Sequence, residues 1–204
     1  TCLPNFEPRE GQSAMAEAVD AVLMRTSAGE EYGELKARIL MVEAETGIGK
    51  TLAYMIPSVL SGKRIVISTA TLNLQDQIFN KDLPLVENVL DHKISALCIK
   101  GRENYLCLYR WYQYCSTPQL SLVDDPWLEK IDDWLKKTST GDRAELDWLS
   151  KKSGLWSRIS SQSNHCLGGD CPEAAICFIT QLRKKAGSAR LLIVNHHLLF
   201  SDLA

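Results

Sequence analysis

No apolar stretch in these 204 residues is long enough to cross a bilayer as a helix, and the polar start, Thr1 to Glu10, lacks the pattern of a secretion signal. Neither a helical membrane span nor a leader is expected, and the cytoplasm is the expected compartment. A surplus of basic charge is also missing. Lys and Arg number 23 against 25 Asp and Glu, for a net charge of -2 and a pI near 6.1, which argues mildly against a domain dedicated to nucleic acid. There is no internal repeat and no low-complexity tract. Seven cysteines, an odd count unevenly spread, do not make a disulfide framework and suit a reducing compartment where thiols ligate metal. What remains, at 45% hydrophobic content, is a globular chain able to bury one core plus an excursion from it.

The most informative segment present is Ala44-Glu45-Thr46-Gly47-Ile48-Gly49-Lys50-Thr51, which follows an apolar strand candidate, Arg38 to Val42. A loop between a buried strand and a helix must turn tightly for successive backbone N–H groups to face one phosphate, and that requires residues without bulk at Gly47 and Gly49. Lys50 then supplies a point charge for the β and γ phosphates, and the Thr51 hydroxyl is positioned to ligate the bridging Mg²⁺ while opening a helix through Leu60. The pattern has Ala44 where the strict motif has Gly, a looser form familiar from superfamily 2 helicases.

Before Gly101, short apolar strands alternate with helices. Arg38 to Val42, Arg64 to Ser68 and Ile94 to Ile99 read as buried strands because each is a continuous apolar run. Met15, Ala18, Val19 and Val22 form a helical stripe over Gly11 to Met24. A third helix, Leu72 to Asn80, is opened by Thr69-Ala70-Thr71, and Pro84 bends the path into a further helical piece. The pattern predicts an α/β fold with a parallel sheet. From Gly101 to about Gly187 the alternation stops, and this stretch holds all five Trp, four of six Tyr and five of seven Cys. It reads as an insertion, after which Arg190 to Val194 resumes as a strand. The expected domains are therefore 1–100, 101–187 and 188–204.

Within the insertion, Cys107, Cys166, Cys171 and Cys177 combine one remote thiol with three clustered ones. Zinc sites favour two tight knuckles, whereas a [4Fe-4S] cluster tolerates wider spacing around its larger body. Spacing alone leaves iron–sulfur, zinc and buried non-ligating thiols open. Cys98 lies in an apolar run and reads as core, and Cys115 is a rival ligand one or two helical turns past Cys107. Arg183-Lys184-Lys185 with Arg190, and Lys100 with Arg102, are basic knots that either track phosphates or form solvated faces. The insertion as a whole carries 12 basic and 11 acidic residues, a net of +1, so no broad electrostatic funnel is evident. His196 and His197, adjacent and without an evident partner, read as capping or packing rather than a metal site.

These motifs, in this order, resemble one family: the phosphate loop, Phe6 with Arg9 and Gln12, Ser68-Thr69-Ala70-Thr71 with Leu74-Gln75-Asp76-Gln77, Lys100-Gly101-Arg102, Asn104-Tyr105-Leu106-Cys107, the cysteine trio and Val194-Asn195-His196-His197-Leu198. The chain is similar over nearly its whole length to the N-terminal part of DinG/YoaA-type iron–sulfur DNA helicases, the XPD-like group of superfamily 2. The resemblance implies a P-loop RecA-like parallel sheet, part of a first motor domain, with an inserted, mainly helical iron–sulfur domain. It implies that Cys107, Cys166, Cys171 and Cys177 hold a [4Fe-4S] cluster, leaving Cys115 a bystander. Arg9 and Gln12 would contact adenine, and Glu45, Thr46, Gly47, Ile48, Gly49, Lys50 and Thr51 would hold ATP and Mg²⁺, with Lys50 and Thr51 serving catalysis. Thr69, Thr71 and Gln75 would touch the DNA backbone, although helix capping is an equal reading of the same residues. Arg102 and Tyr105 are further DNA candidates. Most of the tryptophans are expected to be core rather than base-stacking platforms.

Phosphoryl transfer needs carboxylates for Mg²⁺ and for water, normally from an Asp-Glu-x-His strand, and that motif does not occur here. Asp124-Asp125 and Asp132-Asp133 follow no apolar strand. The expected whole is an ATP-dependent 5'-to-3' DNA helicase of repair or replication rescue in the bacterial nucleoid, of which this chain is an N-terminal part with weak turnover. Single-stranded or forked DNA and a replication or repair protein are the expected partners, with self-association through an exposed sheet edge. Two alternatives stand beside it: a P-loop ATPase with a zinc-binding insert, and a non-enzymatic iron–sulfur DNA-binding or redox module.

Overall fold

The computed structural model describes residues 9–24, 38–116, 126–150 and 153–203. They divide into two compact units, one formed by the chain up to Cys98 together with Ala189 onward, the other by Ile99–Ser188. Among the described residues no helix is long and apolar enough to cross a membrane.

The first unit is built on three parallel strands, β1 (Ile65–Thr69), β2 (Ala96–Cys98) and β3 (Leu191–Asn195), in the order β1-β3-β2. Ile65 and Ala96 both pair in register with Leu191, and Ile67 and Cys98 both pair with Ile193. The last strand in sequence is therefore central, which is why β3 is the most deeply buried. Strands alternate faces, so Ile65, Ile67, Leu191 and Ile193 share one side. There they meet Met55 of α2 (Lys50–Leu60), Leu83 and Val86 of α4 (Leu83–Leu90), and Ile78, which opens the π-helical turn Ile78–Asp82. Burying each such side chain contributes about 1.5–3 kcal/mol. On the opposite side Val66 is 47% exposed, so the sheet is covered unevenly.

Helix α1 (Glu10–Met24) packs on α2, and α3 (Leu72–Gln77) runs through the π turn into α4. Pro84 lies in the first turn of α4, directly after the π turn. The predicted strand at Arg38 to Val42 is not formed: residues 38–45 have no regular structure, and Ile39 and Met41 are 84% and 89% exposed. A strand exists only through pairing, and among the described residues the sheet pairs β1, β3 and β2 alone. Apolar content alone therefore could not make it one.

The second unit is mainly helical, with α5 (Leu108–Cys115), α6 (Pro126–Leu135), α7 (Gly154–Ile159) and α8 (Phe178–Ser188), while α9 (His196–Leu203) closes the first unit after β3. Trp111 and Trp156 lie in its core with Leu106, Ile131 and Ile159, and Trp127, Trp134 and Trp148 pack against it. Three indole N–H groups have partners: Trp111 donates to Asp132 Oδ1 at 3.2 Å, Trp134 to Glu145 Oε2 at 2.8 Å, and Trp156 to the Glu103 carbonyl at 2.7 Å. Gly141 has φ 65°, and a Cβ there would stand 2.4 Å from the Phe178 ring, so both its conformation and its neighbour demand glycine.

Candidate functional site

The loop from Ala44 to Gly49 leads directly into α2, whose first residue is Lys50. Gly47 and Gly49 have φ of 86° and 87°, the left-handed region that lets consecutive amides turn toward one point. The Lys50 ammonium lies back along the loop, donating to the Ala44 carbonyl at 2.8 Å and the Glu45 carbonyl at 2.6 Å. These are weak substitutes for a phosphate, since carbonyl dipoles carry no net charge. Arg9 and Gln12, 38 and 37 residues upstream of their partners, reach the same loop: the Arg9 guanidinium donates to the Gly47 carbonyl and Gln12 Nε2 to the Gly49 carbonyl at 3.2 Å. The start of α1 and the phosphate loop thus form one local structure.

Gly49 is constrained twice. Its φ disfavours any side chain, and a Cβ would come within 2.3 Å of Gln12 Nε2. Gly49→Ala is expected to expel Gln12 and weaken nucleotide binding about tenfold or more, a loss of at least ~1.4 kcal/mol, with little effect on the far unit. Titration with a fluorescent ATP analogue checks this.

One residue at this site has no sequence signal in the motif itself. Asp82, at the end of the π turn, lies in the neighbourhood of Gln77 and Thr51. Burial pushes its carboxyl up, while the Gln77 side chain, the Lys81 charge and the Thr51 side chain pull it down. Its Oδ2 is buried without a hydrogen-bond partner. Burial raises the Tyr54 phenol above its usual range. Asp82 falls on the helix face that carries Gln75, Ile78 and Val86. A carboxylate on an otherwise buried stripe was the available clue.

The segment proposed for DNA is largely committed elsewhere. The Thr71 hydroxyl caps α3 by accepting from Leu74 N at 3.2 Å, and Thr69 Oγ1 donates to the Thr71 carbonyl at 3.0 Å. Gln75 is fully buried and ties α3 to β3 through the Ile193 carbonyl at 3.1 Å. What faces solvent is the turn itself, Ala70 to Leu74. Ser68 Oγ and His196 Nδ1 lie 2.8 Å apart across the β1 and β3 ends, and Asn195 caps α9 through Leu198 N at 2.7 Å.

In the second unit Tyr105 is 2% exposed, its hydroxyl accepting from Lys100 N at 3.0 Å. As placed, its ring is core and offers no face to a base. Lys100 is not part of a surface knot either: its ammonium is buried and paired with Asp142 at 2.8 Å. Arg102 stands against Cys166. The Gly168 amide, followed by the Arg102 guanidinium and the Arg183 charge, pulls that thiol down. Cys107, just before α5, is half-buried; burial raises its thiol, and the charges of Cys177 and Cys171 raise it further. Cys115 ends α5, about 12 Å along the axis from Cys107, too far for a shared site. Cys98 sits in β2 near the Gln75 amide, at 3.7 Å.

The four proposed ligand thiols are free. Cys177 and Cys171 both raise the Cys107 thiol, so these three lie in one neighbourhood. The described residues do not, however, close into a cage: no three His, Cys, Asp or Glu groups among them stand at metal-gripping distance.

The DEAD/DEAH box helicase model matches residues 25–118, the span that contains the phosphate loop, β1, α3 and β2. Those residues carry a DEAD/DEAH box helicase domain. Its small parallel α/β sheet is consistent with the RecA-like domain of such helicases. It is 39% identical over 205 residues to ATP-dependent DNA helicase YoaA of Haemophilus influenzae, covering 99% of this chain and 30% of that protein. To ATP-dependent DNA helicase YoaA of Escherichia coli it is 38% identical over 204 residues, covering 98% and 30%. To the Bacillus subtilis protein named 3'-5' exonuclease DinG it is 34% identical over 213 residues, covering 98% and 21%. The chain thus spans about a third or less of the length of these relatives.

Proposed function

We propose that this helicase-family chain supplies the ATP-binding part of a first motor domain, with a cluster-bearing insert, in an ATP-dependent 5'-to-3' DNA helicase of repair or replication rescue. The observation that carries it is the convergence of Arg9 and Gln12 on the two left-handed glycines of the phosphate loop, whose first carbonyls, those of Ala44 and Glu45, receive Lys50. Lys50 would hold the β and γ phosphates, Thr51 would hold Mg²⁺, and the loop amides from Thr46 to Gly49 would line the phosphates. Arg9 and Gln12, which hold the loop, would contact adenine. Gln12 has both a donor and an acceptor, so it can keep the Gly49 carbonyl and still meet a base edge. Mg²⁺, when bound, neutralises charge on the phosphates. Hydrolysis awaits the carboxylates of the downstream strand.

Single-stranded DNA would run over the exposed turn Ala70–Leu74, whose backbone suits phosphate oxygens; Thr69, Thr71 and Gln75 shape that turn from beneath. Cys107, Cys166, Cys171 and Cys177 would hold a [4Fe-4S] cluster, with Arg102 oriented on Cys166. The test is metal content after strictly anaerobic purification. About four irons with matching sulfide per chain, lost in Cys171→Ser, are expected. Zinc in place of iron would instead support a P-loop ATPase with a zinc-binding insert.

A further inference from the structure

The segment Val194-Asn195-His196-His197-Leu198 takes no part in the nucleotide site, and the structure divides its roles. Val194 is buried in β3, and Asn195 caps α9 through Leu198 N at 2.7 Å, so the capping expected of the histidines falls to their neighbour. His196, the first residue of α9, is exposed, yet its ring is held: Nδ1 lies 2.8 Å from Ser68 Oγ near the end of β1. Nε2, the other ring nitrogen, has no partner among the described residues. The register pairs Thr69 with Asn195, so the next residues along, Ala70 and His196, leave the sheet side by side. Ala70 begins the exposed turn 70–74. One helical turn beyond His196, Phe200 is 64% exposed, its ring centroid 6.4 Å from that of His196 and tilted by 48°. An exposed Phe alone is ordinary; its meaning here comes from the oriented imidazole beside it. In open parallel sheets ligands bind beyond the carboxyl ends of the strands, and β1 and β3 both end here.

We propose that His196 and Phe200 form a contact for one nucleotide of single-stranded DNA, in which His196 Nε2–H donates to a phosphate oxygen, Phe200 stacks on a base, and Ser68 is the positioning residue that fixes the imidazole. The inference rests on the DNA reading above and extends its track from the turn 70–74 across the end of β3. A serine hydroxyl both donates and accepts, so it can serve Nδ1 in either form. When it donates to Nδ1, the proton of a neutral imidazole sits on Nε2, the nitrogen that the fold leaves without a partner. A phosphate oxygen favours this tautomer, because it can only accept. Donor and ring together match the two chemistries of a nucleotide, an anionic acceptor and a π face. A free anion would have no use for the ring. Neither contact reads a base edge, so the site is indifferent to sequence.

The test is fluorescence anisotropy of a labelled oligo(dT) titrated with the full chain, repeated with an abasic oligonucleotide of the same length. His196→Ala is expected to weaken binding to both about tenfold, the loss of one hydrogen bond to a charged group. His196→Gln, whose Nε2 can donate from a similar place, should restore most of that loss. Phe200→Ala should weaken binding to oligo(dT) about five- to tenfold and leave the abasic strand unchanged, since stacking needs a base. Ser68→Ala should cost about threefold alone and nothing further in a His196→Ala background, as a residue acting through the ring must. His196 and Phe200 are exposed, so neither alanine variant should lower the melting temperature; if one fails to fold, the other decides. Wild-type affinity for oligo(dT) in either folded variant overturns the inference and leaves the DNA track over 70–74 standing. So does a Phe200→Ala loss that the abasic strand shares, or a His196→Gln that binds no better than His196→Ala. A wild type that binds neither oligonucleotide overturns the DNA reading itself, and the inference with it.

Discussion

Lys50→Ala is expected to weaken ATP–Mg²⁺ binding by about 10- to 100-fold while barely changing stability. The ammonium makes its hydrogen bonds to the Ala44 and Glu45 carbonyls at the surface of the loop, at 2.8 and 2.6 Å, and water replaces it there at a cost of about 1 kcal/mol. With nucleotide present the balance differs. A charged hydrogen bond to phosphate is worth about 1.5–3 kcal/mol, and every 1.4 kcal/mol is tenfold in affinity. Loop geometry should persist, because the left-handed glycines and the Arg9 and Gln12 contacts do not pass through Lys50. Calorimetric titration together with a thermal melt separates the two effects. A variant that bound ATP like wild type would remove the phosphate loop from the proposal.

Lys100→Met is expected to destabilise the Ile99–Ser188 unit by about 3 kcal/mol, the lower end of what breaking a buried ion pair costs. The Lys100 side chain is 4% exposed and Asp142 18%, so the stranded carboxylate regains some water but not all. Met fills the space of the Lys stem, which isolates charge from packing. Asp142 cannot simply be deleted to compensate, because its Oδ1 also accepts from Ala144 N at 2.8 Å. Asn keeps that acceptor, so Lys100→Met with Asp142→Asn should recover most of the loss. Urea denaturation followed by tryptophan fluorescence reads this directly, since all five tryptophans belong to that unit. Equal loss in the single and double variants would mean that packing, not the ion pair, sets the cost.

The two parts of the chain differ in how legible they were. In the first unit, β1, β2 and β3 fall within one or two residues of their apolar runs, because a strand between helices needs a continuous hydrophobic segment and little else in that sequence supplies one. Arg38 to Val42 has the same composition and forms no strand. Pairing is a property of two segments, and composition describes one. The capping role of Thr71 was readable from local pattern, whereas the burial of Gln75 was not, since its partner is the Ile193 carbonyl 118 residues away. In the insertion, Lys100 and Tyr105 look like surface chemistry in a linear reading, and both are interior. A Lys is buried only where a carboxylate waits for it, and Asp142 is too distant in sequence to be seen as that partner.

By itself the sequence determined the phosphate loop, the alternation of strands and helices after it, and the resemblance to helicases, because each rests on local pattern, such as two glycines, a lysine and a threonine at fixed intervals. Tertiary structure alone decided which side chains surround that loop. Arg9, just before α1, and Gln12 within it meet Gly47 and Gly49 because α1 packs on α2. Such convergence follows from burying one helix face against another, an energy spread over many residues, and no single interval in the chain encodes it.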